Sequence, residues 1–322
     1  MPDTETNAAF NFRWIEDWAR IPDTASGRKN GRTHGVEVLP DGRVAVFHQA
    51  TPAMLFFEAD GSLSHAWGDR FLGAHGMTLT EHDGQPAFWL VDEFSCEVVK
   101  TTLDGETILR ITAPPIDARP DGKYVPTWAD QHPETGDIWV GDGYGGSTLH
   151  RFNARGRHLE AITKIDGVRL NEPHGLRISP EGELWLTDRA NHRIVVLDAD
   201  GKLVRSTRSA CHSPTSIAFH DGRAYIAELF GAVRVLDRDL NRLATLGENP
   251  WLTPEPGWED RPTWWWPDAQ TQEGYPNFAG TERVQPGKFI SPHGIAVGPD
   301  GAVFITEWTL GGRILKLEPD PV

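Results

Sequence analysis

The sequence predicts an all-β protein, a six-bladed β-propeller in which six four-stranded sheets form a closed ring. Six similar segments of roughly forty residues follow one another along the chain. Asp-Gly pairs separate their apolar runs, and such pairs favour the tight turns of β-hairpins because those turns need positive φ. Four-stranded repeats that bury their faces against one another form propellers. The 33 glycines and 24 prolines among 322 residues suit short strands and tight turns better than helices.

Each repeat begins at an equivalent residue in front of its first strand. In the fourth repeat, LRI is the first strand, ELWLTD the second, RIVVLD the third and KLVRST the fourth. Four of the six starting residues are histidines that are followed by glycine. The repeats start at His34, His75, Thr127, His174, Thr215 and His293.

The last repeat is one strand short. The chain ends soon after its third strand, RILKLE, while the N-terminal stretch FRWIEDWARI is strand-like and belongs to no repeat. We expect this N-terminal strand to complete the last sheet, because that closes the ring and protects an open sheet edge. Residues 1–322 are therefore expected to form a single propeller domain.

One segment does not fit the repeat. Residues 248–287, between the fifth and the last repeat, are rich in proline and contain Trp251, Trp258 and three consecutive tryptophans at 264–266. Long loops without their own secondary structure are usually functional or disordered, and this tryptophan content argues against disorder. We expect the insertion to cap one end of the central channel. The alternative is a packed rim that buries stray apolar surface.

Charge and cysteine content limit the partners and the location. The net charge of −15 argues against nucleic acid and anionic membranes as partners, and a small-molecule substrate is expected instead. No apolar stretch approaches the roughly 20 residues of a membrane helix, and the N-terminus lacks the features of a secretory signal. Cys96 and Cys211 form no disulfide framework, so we expect a cytoplasmic location. The sequence does not give the oligomeric state.

The four His-Gly pairs predict a metal site on the axis of the ring. The first strand of each blade lies nearest the axis, so side chains at its start converge at one face. Neutral imidazole is a good ligand for zinc and related metals, and three histidines with an open position make a catalytic site. The less specific interpretation is that each His-Gly pair only begins a strand.

A second ring of side chains is expected at the same face, because the second strand of each blade returns antiparallel to the first. These side chains could orient the histidines through the far ring nitrogens, or they could bond to neighbouring backbone, which is the more common role in propellers. The residues that end the second strands are His48, Asp92, Asp142, Asp188, Glu228 and Glu307.

These motifs resemble the NHL-repeat propellers, and among them the peptidylglycine alpha-amidating lyase (peptidylamidoglycolate lyase) family. The third repeat, VPTWADQHPETGDIWVGDGYGG, is similar to that family's PTDVAV and SDGY segments. The fourth, EPHGLRISPEGELWLTDRANHRIVVL, is similar to its PHSLAL and ADRENGRI segments. The resemblance covers all six blades coarsely and is specific in the second, third, fourth and sixth.

The resemblance implies a zinc ion held by His75, His174 and His293, with Tyr144 as the catalytic tyrosine and Arg189 as an active-site arginine. It also implies the cleavage of a carbinolamide, in which an N-acyl α-hydroxyglycine gives an amide and glyoxylate. A metal would polarise the hydroxyl oxygen or lower the hydroxyl pKa. Tyr144 would act as general acid or base, and Arg189 would hold a carboxylate or stabilise developing charge.

Three positions depart from the family. Gln49 stands where the family has an arginine that is important for catalysis, so a positive charge that could hold a carboxylate is missing. His34 stands where the family has no histidine, which offers a fourth metal ligand. Gly294 replaces an aspartate that helps to bind a structural calcium, which puts the calcium site in doubt.

Three functions remain open at this point. The first is a zinc-dependent lyase that acts on a small molecule, with an altered substrate. The second is a metal-dependent hydrolase or oxygenase on the same scaffold, and a fourth ligand from His34 would favour iron and redox chemistry. The third is a non-catalytic NHL interaction propeller, which would have no reason to keep four axial histidines.

Overall fold

Six antiparallel sheets of four strands each form the ring seen in the computed structural model, so the predicted all-β six-bladed propeller is confirmed. The structure describes residues 10–208, 210–250, 252, 270–272, 275–277 and 284–320. In five of the blades the four strands follow one another in the chain and lie side by side in the same order. The first strand of each blade lies at the axis and the fourth at the rim.

The strands of the six blades have the following bounds. Blade 1 contains Thr33–Val38, Val44–His48, Met54–Phe57 and Leu63–Trp67, and blade 2 contains Ala74–His82, Gln85–Asp92, Glu97–Thr102 and Thr107–Ile111. Blade 3 contains Trp128–Gln131, Ile138–Asp142, Thr148–Phe152 and His158–Ile162, and blade 4 contains Pro173–Ile178, Leu184–Asp188, Arg193–Leu197 and Leu203–Thr207. Blade 5 contains Pro214–His220, Arg223–Glu228, Ala232–Leu236 and Arg242–Leu246, and blade 6 contains Pro292–Val297, Val303–Glu307, Arg313–Pro319 and Phe12–Ala19.

Short elements connect or decorate the blades. A helix at Ala25–Lys29 precedes blade 1, and the Thr24 side chain caps it by accepting a hydrogen bond from the Gly27 amide at 3.0 Å. The remaining short elements are two hairpins, Lys164–Ile165 with Val168–Arg169 and Gln270–Gln272 with Tyr275–Asn277, and three 3-10 turns, Ile116–Ala118, Pro120–Gly122 and Arg189–Asn191.

The N-terminal strand closes the ring, as the sequence predicts. Phe12–Ala19 pairs antiparallel with Arg313–Pro319, and its Trp14 lies opposite Leu317. The side chain of Trp14 also packs on Phe289, with ring centroids 4.6 Å apart. The first and last parts of the chain therefore share one sheet, and blade 6 has no open outer edge at its third strand.

The apolar core lies between neighbouring blades rather than at the centre of the ring. The strands nearest the axis are buried on both faces, which explains their continuous apolar runs. Phe47, Phe56, Met77 and Phe88 fill the space between blades 1 and 2 and are fully buried. Fourth strands such as Leu63–Trp67 are only partly buried, as expected for strands at the rim.

Most of the predicted cap, residues 248–287, lies outside the described residues, and its role stays a prediction. Among the described residues, no helix is long and apolar enough to cross a membrane. Cys96 and Cys211 are both free thiols. The cytoplasmic location also stays a prediction.

Candidate active site at the axis of the ring

Four histidine side chains meet on the axis, each from the start of a first strand. They are His34, His75, His174 and His293 of blades 1, 2, 4 and 6, and all are buried. The ring centroid of His75 lies 4.9 Å from that of His34, 4.8 Å from that of His174 and 4.8 Å from that of His293. The structure therefore brings together all four histidines that the His-Gly pattern singles out.

His75 and His174 are each fixed by a backbone carbonyl of the next blade. Nδ1 of His75 lies 2.7 Å from the Thr127 oxygen, and Nδ1 of His174 lies 2.8 Å from the Thr215 oxygen. A carbonyl oxygen can only accept, so Nδ1 must carry the proton in both rings. The Nε2 lone pair of each ring is then left for the axis, which is the orientation that a metal ligand needs.

The glycine of the His-Gly pair serves this same contact. A Cβ atom on Gly76 would stand less than 3.0 Å from the Thr127 oxygen, and one on Gly175 would stand less than 3.0 Å from the Thr215 oxygen. Only glycine lets the neighbouring blade approach so closely. In blades 2 and 4 the two residues of the His-Gly pair therefore act together, because the glycine admits the neighbouring carbonyl and the histidine donates to it.

The acids that end the second strands have a structural role, and they do not orient the histidines. Asp92 accepts hydrogen bonds from the amides of Gly73 and Ser95 at 2.9 and 2.8 Å. Asp188 accepts from the Asn171 amide at 2.8 Å and pairs with the Arg193 guanidinium. These carboxylates tie down the loops at the histidine face, which is the more common role in propellers.

His34 belongs to the tight group of nitrogen atoms in the site. One ring nitrogen from each of His34, His75 and His293 lies within 4.8 Å of the other two, and His174 is not part of this group. Nδ1 of His34 and Nδ1 of His293 are buried without a hydrogen-bond partner. Buried polar atoms are normally satisfied, so two unpartnered imidazole nitrogens within this histidine cluster fit a site that binds a metal ion.

Burial keeps the four imidazoles in the neutral form that binds metal. It lowers the pKa of His75 to about 3, and it holds the pKa of His34, His174 and His293 well below the ordinary value. Neighbouring positive charge adds to the effect, since Arg189 lowers the pKa of His174.

Tyr144 reaches the histidines from the loop that follows the second strand of blade 3. Its hydroxyl lies 2.9 Å from Nε2 of His174 and 3.1 Å from Nε2 of His75. Both nitrogens are acceptors, so the single hydroxyl proton can serve only one of them at a time. Burial raises the pKa of Tyr144 above the ordinary value, although nearby Arg189 lowers it.

Arg189 lies beside Tyr144, at the equivalent place in blade 4. Its Nη2 is 3.4 Å from the Tyr144 hydroxyl, and its Nε is 3.2 Å from a carboxylate oxygen of Glu172. The guanidinium carbon lies 5.4 Å from the centre of the Tyr144 ring. Tyr144 thus contacts the histidine cluster directly, and Arg189 lies behind Tyr144 and is ion-paired with Glu172.

Gln49 contacts Glu93, which the sequence places at the same face but not among the catalytic or metal-binding residues. The Gln49 side chain donates to a carboxylate oxygen of Glu93 at 2.6 Å and accepts from Asn30 at 3.1 Å. Burial raises the pKa of Glu93 to about 7, while the bond from Gln49 lowers it. The sequence indicates that the two residues share a face, because Glu93 directly follows the second strand of blade 2 and Gln49 directly follows that of blade 1.

A cavity of about 370 Å³ lies over the histidines. Charged and polar side chains form most of its wall, and apolar side chains form the rest, as in many small-molecule sites. The lining residues are Asn30, Arg32, His34, Gln49, His75, Glu93, Phe94, Tyr144, Glu172, Arg189, Leu229, His293 and Trp308.

A buried ion pair crosses the ring three residues further along the first strands. Arg177 of blade 4 and Glu37 of blade 1 form two hydrogen bonds, one of 2.9 Å between Nη2 and Oε2. Asp130 of blade 3 lies close enough that Arg177 lowers its pKa, but burial dominates and raises that pKa to about 6. This group links blades across the axis, away from the cavity.

Comparison with known proteins supports the repeat type. Residues 170–197, which contain the first three strands of blade 4, match the family model of the NHL repeat. The chain is a six-bladed propeller that contains a match to the NHL repeat. It is 25% identical to the human NHL repeat-containing protein 3 over 217 residues, which is 62% of this chain and 59% of that protein.

A second relative links the propeller to amidating enzymes. The chain is 28% identical to peptidyl-glycine alpha-amidating monooxygenase B of Xenopus laevis over 148 residues. This match covers 43% of the propeller and only 17% of the frog protein. The propeller therefore has distant similarity to that protein and spans a small part of it.

Solved structures share the fold at low sequence identity. A streptogramin B lyase superposes with a TM-score of 0.60 at 18% identity, covering 97% of this chain and 99% of that one. A gluconolactonase from Xanthomonas campestris superposes with a TM-score of 0.60 at 13% identity, covering 96% and 90%. Relatives of this propeller thus include enzymes as well as NHL-repeat proteins.

Proposed function

We propose that this propeller is a metal-dependent enzyme that cleaves a C–N bond in a small carbinolamide, with a substrate altered from that of the amidating lyases. One observation carries the proposal: neutral, buried histidines converge at the base of a cavity of about 370 Å³, and the Tyr144 hydroxyl lies within hydrogen-bonding distance of two of them. An interaction surface has no need of ligands that face inward.

The histidines fit a metal ion by their chemistry. They supply neutral imidazole nitrogens, and two Nδ1 atoms have no other partner. We propose that His75, His174 and His293 hold zinc, with His34 as a fourth ligand. His75 and His293 belong both to this set and to the group of nitrogens within 4.8 Å, so they are the firmest assignments. When bound, the ion would polarise the substrate hydroxyl and ease its deprotonation.

The remaining steps fall to side chains of the chain itself. In the reaction the C–N bond breaks, the hydroxyl proton leaves as a carbonyl forms, and the nitrogen gains a proton, which gives an amide and an aldehyde or keto acid. We propose that Tyr144 exchanges these protons, because its hydroxyl lies between the histidines and the cavity. Arg189, 3.4 Å from that hydroxyl, would stabilise negative charge on oxygen.

A second candidate function rests on His34. Its nitrogen belongs to the group with His75 and His293, and His174 stands beside them. Four imidazoles suit iron or another metal that accepts six ligands better than they suit tetrahedral zinc. This ligand set would favour an iron oxygenase or a metal-dependent hydrolase on the same propeller.

The first test is elemental analysis of protein purified without added metal. The proposal expects about one zinc per chain, lost in His75→Ala/His293→Ala and retained in a control, His82→Ala, at an exposed histidine. Less than about a tenth of a metal per chain would contradict both enzymatic functions and favour an interaction propeller. Predominant iron would favour the second candidate.

The second test is the reaction itself. The metal-loaded protein is incubated with α-hydroxyhippurate, and glyoxylate release is measured against the His75→Ala/His293→Ala variant. Because Gln49 replaces the family's arginine, we expect weak release of glyoxylate. A rate equal to that of the double variant for every carbinolamide tried would refute the lyase function.

A further inference from the structure

Blades 1 and 2 form one wall of the cavity, and in this wall the side-chain amide of Gln49 holds the carboxyl group of Glu93. The Gln49 amide nitrogen lies 2.6 Å from a carboxylate oxygen of Glu93. The Gln49 oxygen in turn accepts from the Asn30 amide at 3.1 Å, so its orientation is fixed. Glu93 has no ion-pair partner among the described residues, and both Gln49 and Glu93 line the cavity.

The positive charges of the same cavity are already engaged. Arg189 is bonded to Glu172 and lies against Tyr144. Arg32 donates to the Asn30 side chain at 3.0 Å and lies over the Trp308 ring, 5.2 Å from its centre. A ligand carboxylate would find Arg189 ion-paired with Glu172 and the Glu93 carboxyl group in the same cavity.

We propose that Gln49 and Glu93 are specificity-determining residues that select a neutral carbinolamide, one without a carboxylate on the reacting carbon. This inference rests on the proposed function. Above pH 7, where Glu93 is ionised, a ligand carboxylate and the Glu93 carboxylate repel each other, and the cost grows where burial lowers the effective dielectric constant. A neutral substrate avoids that cost and can donate its N–H or O–H to Glu93, which accepts such bonds.

The acyl part of such a substrate has a matching surface. Phe94, Leu229 and Trp308 line the cavity and supply its apolar area. An aromatic or aliphatic acyl group would lie against them while the carbinol carbon faces the histidines. N-(hydroxymethyl)benzamide is a probe with these properties.

The reaction of this probe needs no further reagent. Its C–N bond breaks, the hydroxyl oxygen keeps the carbon and becomes the carbonyl of formaldehyde, and the hydroxyl proton leaves. The nitrogen gains one proton and becomes the amide of benzamide. Nothing is oxidised or reduced, and α-hydroxyhippurate gives the same benzamide with glyoxylate in place of formaldehyde.

The kinetic arm compares kcat/KM for the two compounds, which share one leaving group and differ by one carboxylate. For the unaltered, metal-loaded protein we expect about tenfold or greater preference for N-(hydroxymethyl)benzamide. Gln49→Arg and Glu93→Gln should each shift the ratio towards α-hydroxyhippurate. The matched control Glu81→Gln, at an exposed residue away from the histidine cavity, should leave the ratio unchanged.

The binding arm does not depend on turnover. Calorimetry measures hippurate and N-methylbenzamide with the metal-loaded protein and the same variants. We expect hippurate to bind about tenfold more tightly to Glu93→Gln and Gln49→Arg than to the unaltered protein, with N-methylbenzamide unchanged. Hippurate binding that does not respond to either substitution would overturn the inference, as would a kinetic preference for α-hydroxyhippurate in the unaltered protein. If neither compound is cleaved but hippurate responds as expected, the charge selection stands and the proposed lyase reaction fails.

Discussion

The hydroxyl of Tyr144 lies 2.9 Å from Nε2 of His174, which joins blade 3 to blade 4 at the axis. The far nitrogen of His174 is held by the carbonyl of Thr215 in blade 5 at 2.8 Å. Three blades thus fix one imidazole, and the position of the tyrosine hydroxyl depends on all of them. A catalytic site needs supporting contacts of this kind, because its side chains must be held within a narrow range of positions.

Replacing Tyr144 by phenylalanine should separate catalysis from metal binding. The hydroxyl is lost while every histidine stays, so we expect turnover of carbinolamides to fall by roughly 10²-fold or more, with the metal content unchanged. The free energy of unfolding should change by only about 1 kcal/mol. Steady-state kinetics and elemental analysis measure the two effects. The control is Tyr225→Phe in blade 5, and loss of metal in Tyr144→Phe would show a structural role instead.

Replacing Gly175 by alanine should destabilise the protein although the new side chain is small. The Cβ atom would stand less than 3.0 Å from the Thr215 oxygen, which would push blade 5 away and weaken the bond to His174. We expect a loss of about 1–3 kcal/mol in the free energy of unfolding, together with weaker metal binding. Denaturant titration and zinc titration measure these. Gly222→Asn is the control, because nothing lies within 4 Å of its Cβ position and asparagine tolerates the φ of +69°.

The fold and the histidine cluster could be predicted because both follow from repetition. Short apolar runs separated by glycine turns mark each blade, and the missing strand after RILKLE identifies Phe12–Ala19 as its partner. Equivalent positions of a closed ring must converge, so His75 and His174 could be placed on the axis without coordinates.

Contacts between blades could not be predicted in the same way. His174 is oriented by the backbone carbonyl of Thr215. Every residue has such a carbonyl, so the sequence does not indicate which one accepts the hydrogen bond. Asp188 was one possible partner, and it accepts a hydrogen bond from the Asn171 amide, which is the structural role expected of these acids by default. Glu93 was overlooked as a site residue because its role depends on the distance to Gln49 in another blade.

Stability of the metal-free protein should fall as the pH falls below about 6.5. Burial lowers the pKa of His75 to about 3 and that of His48 to about 4, so only the unfolded chain takes up these protons between those values and about 6.5. Each such histidine reduces the free energy of unfolding by about 1.4 kcal/mol per pH unit in that range. The raised pKa of Glu93 has the opposite effect on stability below pH 7, because the folded protein then takes up a proton that the unfolded chain does not. It offsets the loss of stability caused by about one histidine.

Denaturant titrations in the presence of a chelator at pH 7.5, 6 and 5 measure this dependence. His48→Gln removes one of the buried imidazoles, so its stability should fall less steeply with pH than that of the unaltered protein. A free energy of unfolding that stays constant or rises between pH 6.5 and 5 would contradict the expected burial of the neutral rings.

The ion pair between Arg177 and Glu37 should respond differently to single and double substitution. Arg177→Met leaves Glu37 and Asp130 buried without their cation, so we expect a loss of about 3–5 kcal/mol in the free energy of unfolding. Arg177→Met/Glu37→Leu removes the uncompensated charge of Glu37 and should recover a large part of that loss, because apolar replacements of a buried pair are often tolerated. The control Arg43→Met breaks a surface pair with Asp41 and should cost about 0–1 kcal/mol. If the double variant is as unstable as the single one, the ion pair itself holds blades 1 and 4 together. Apolar side chains then cannot replace its contribution to stability.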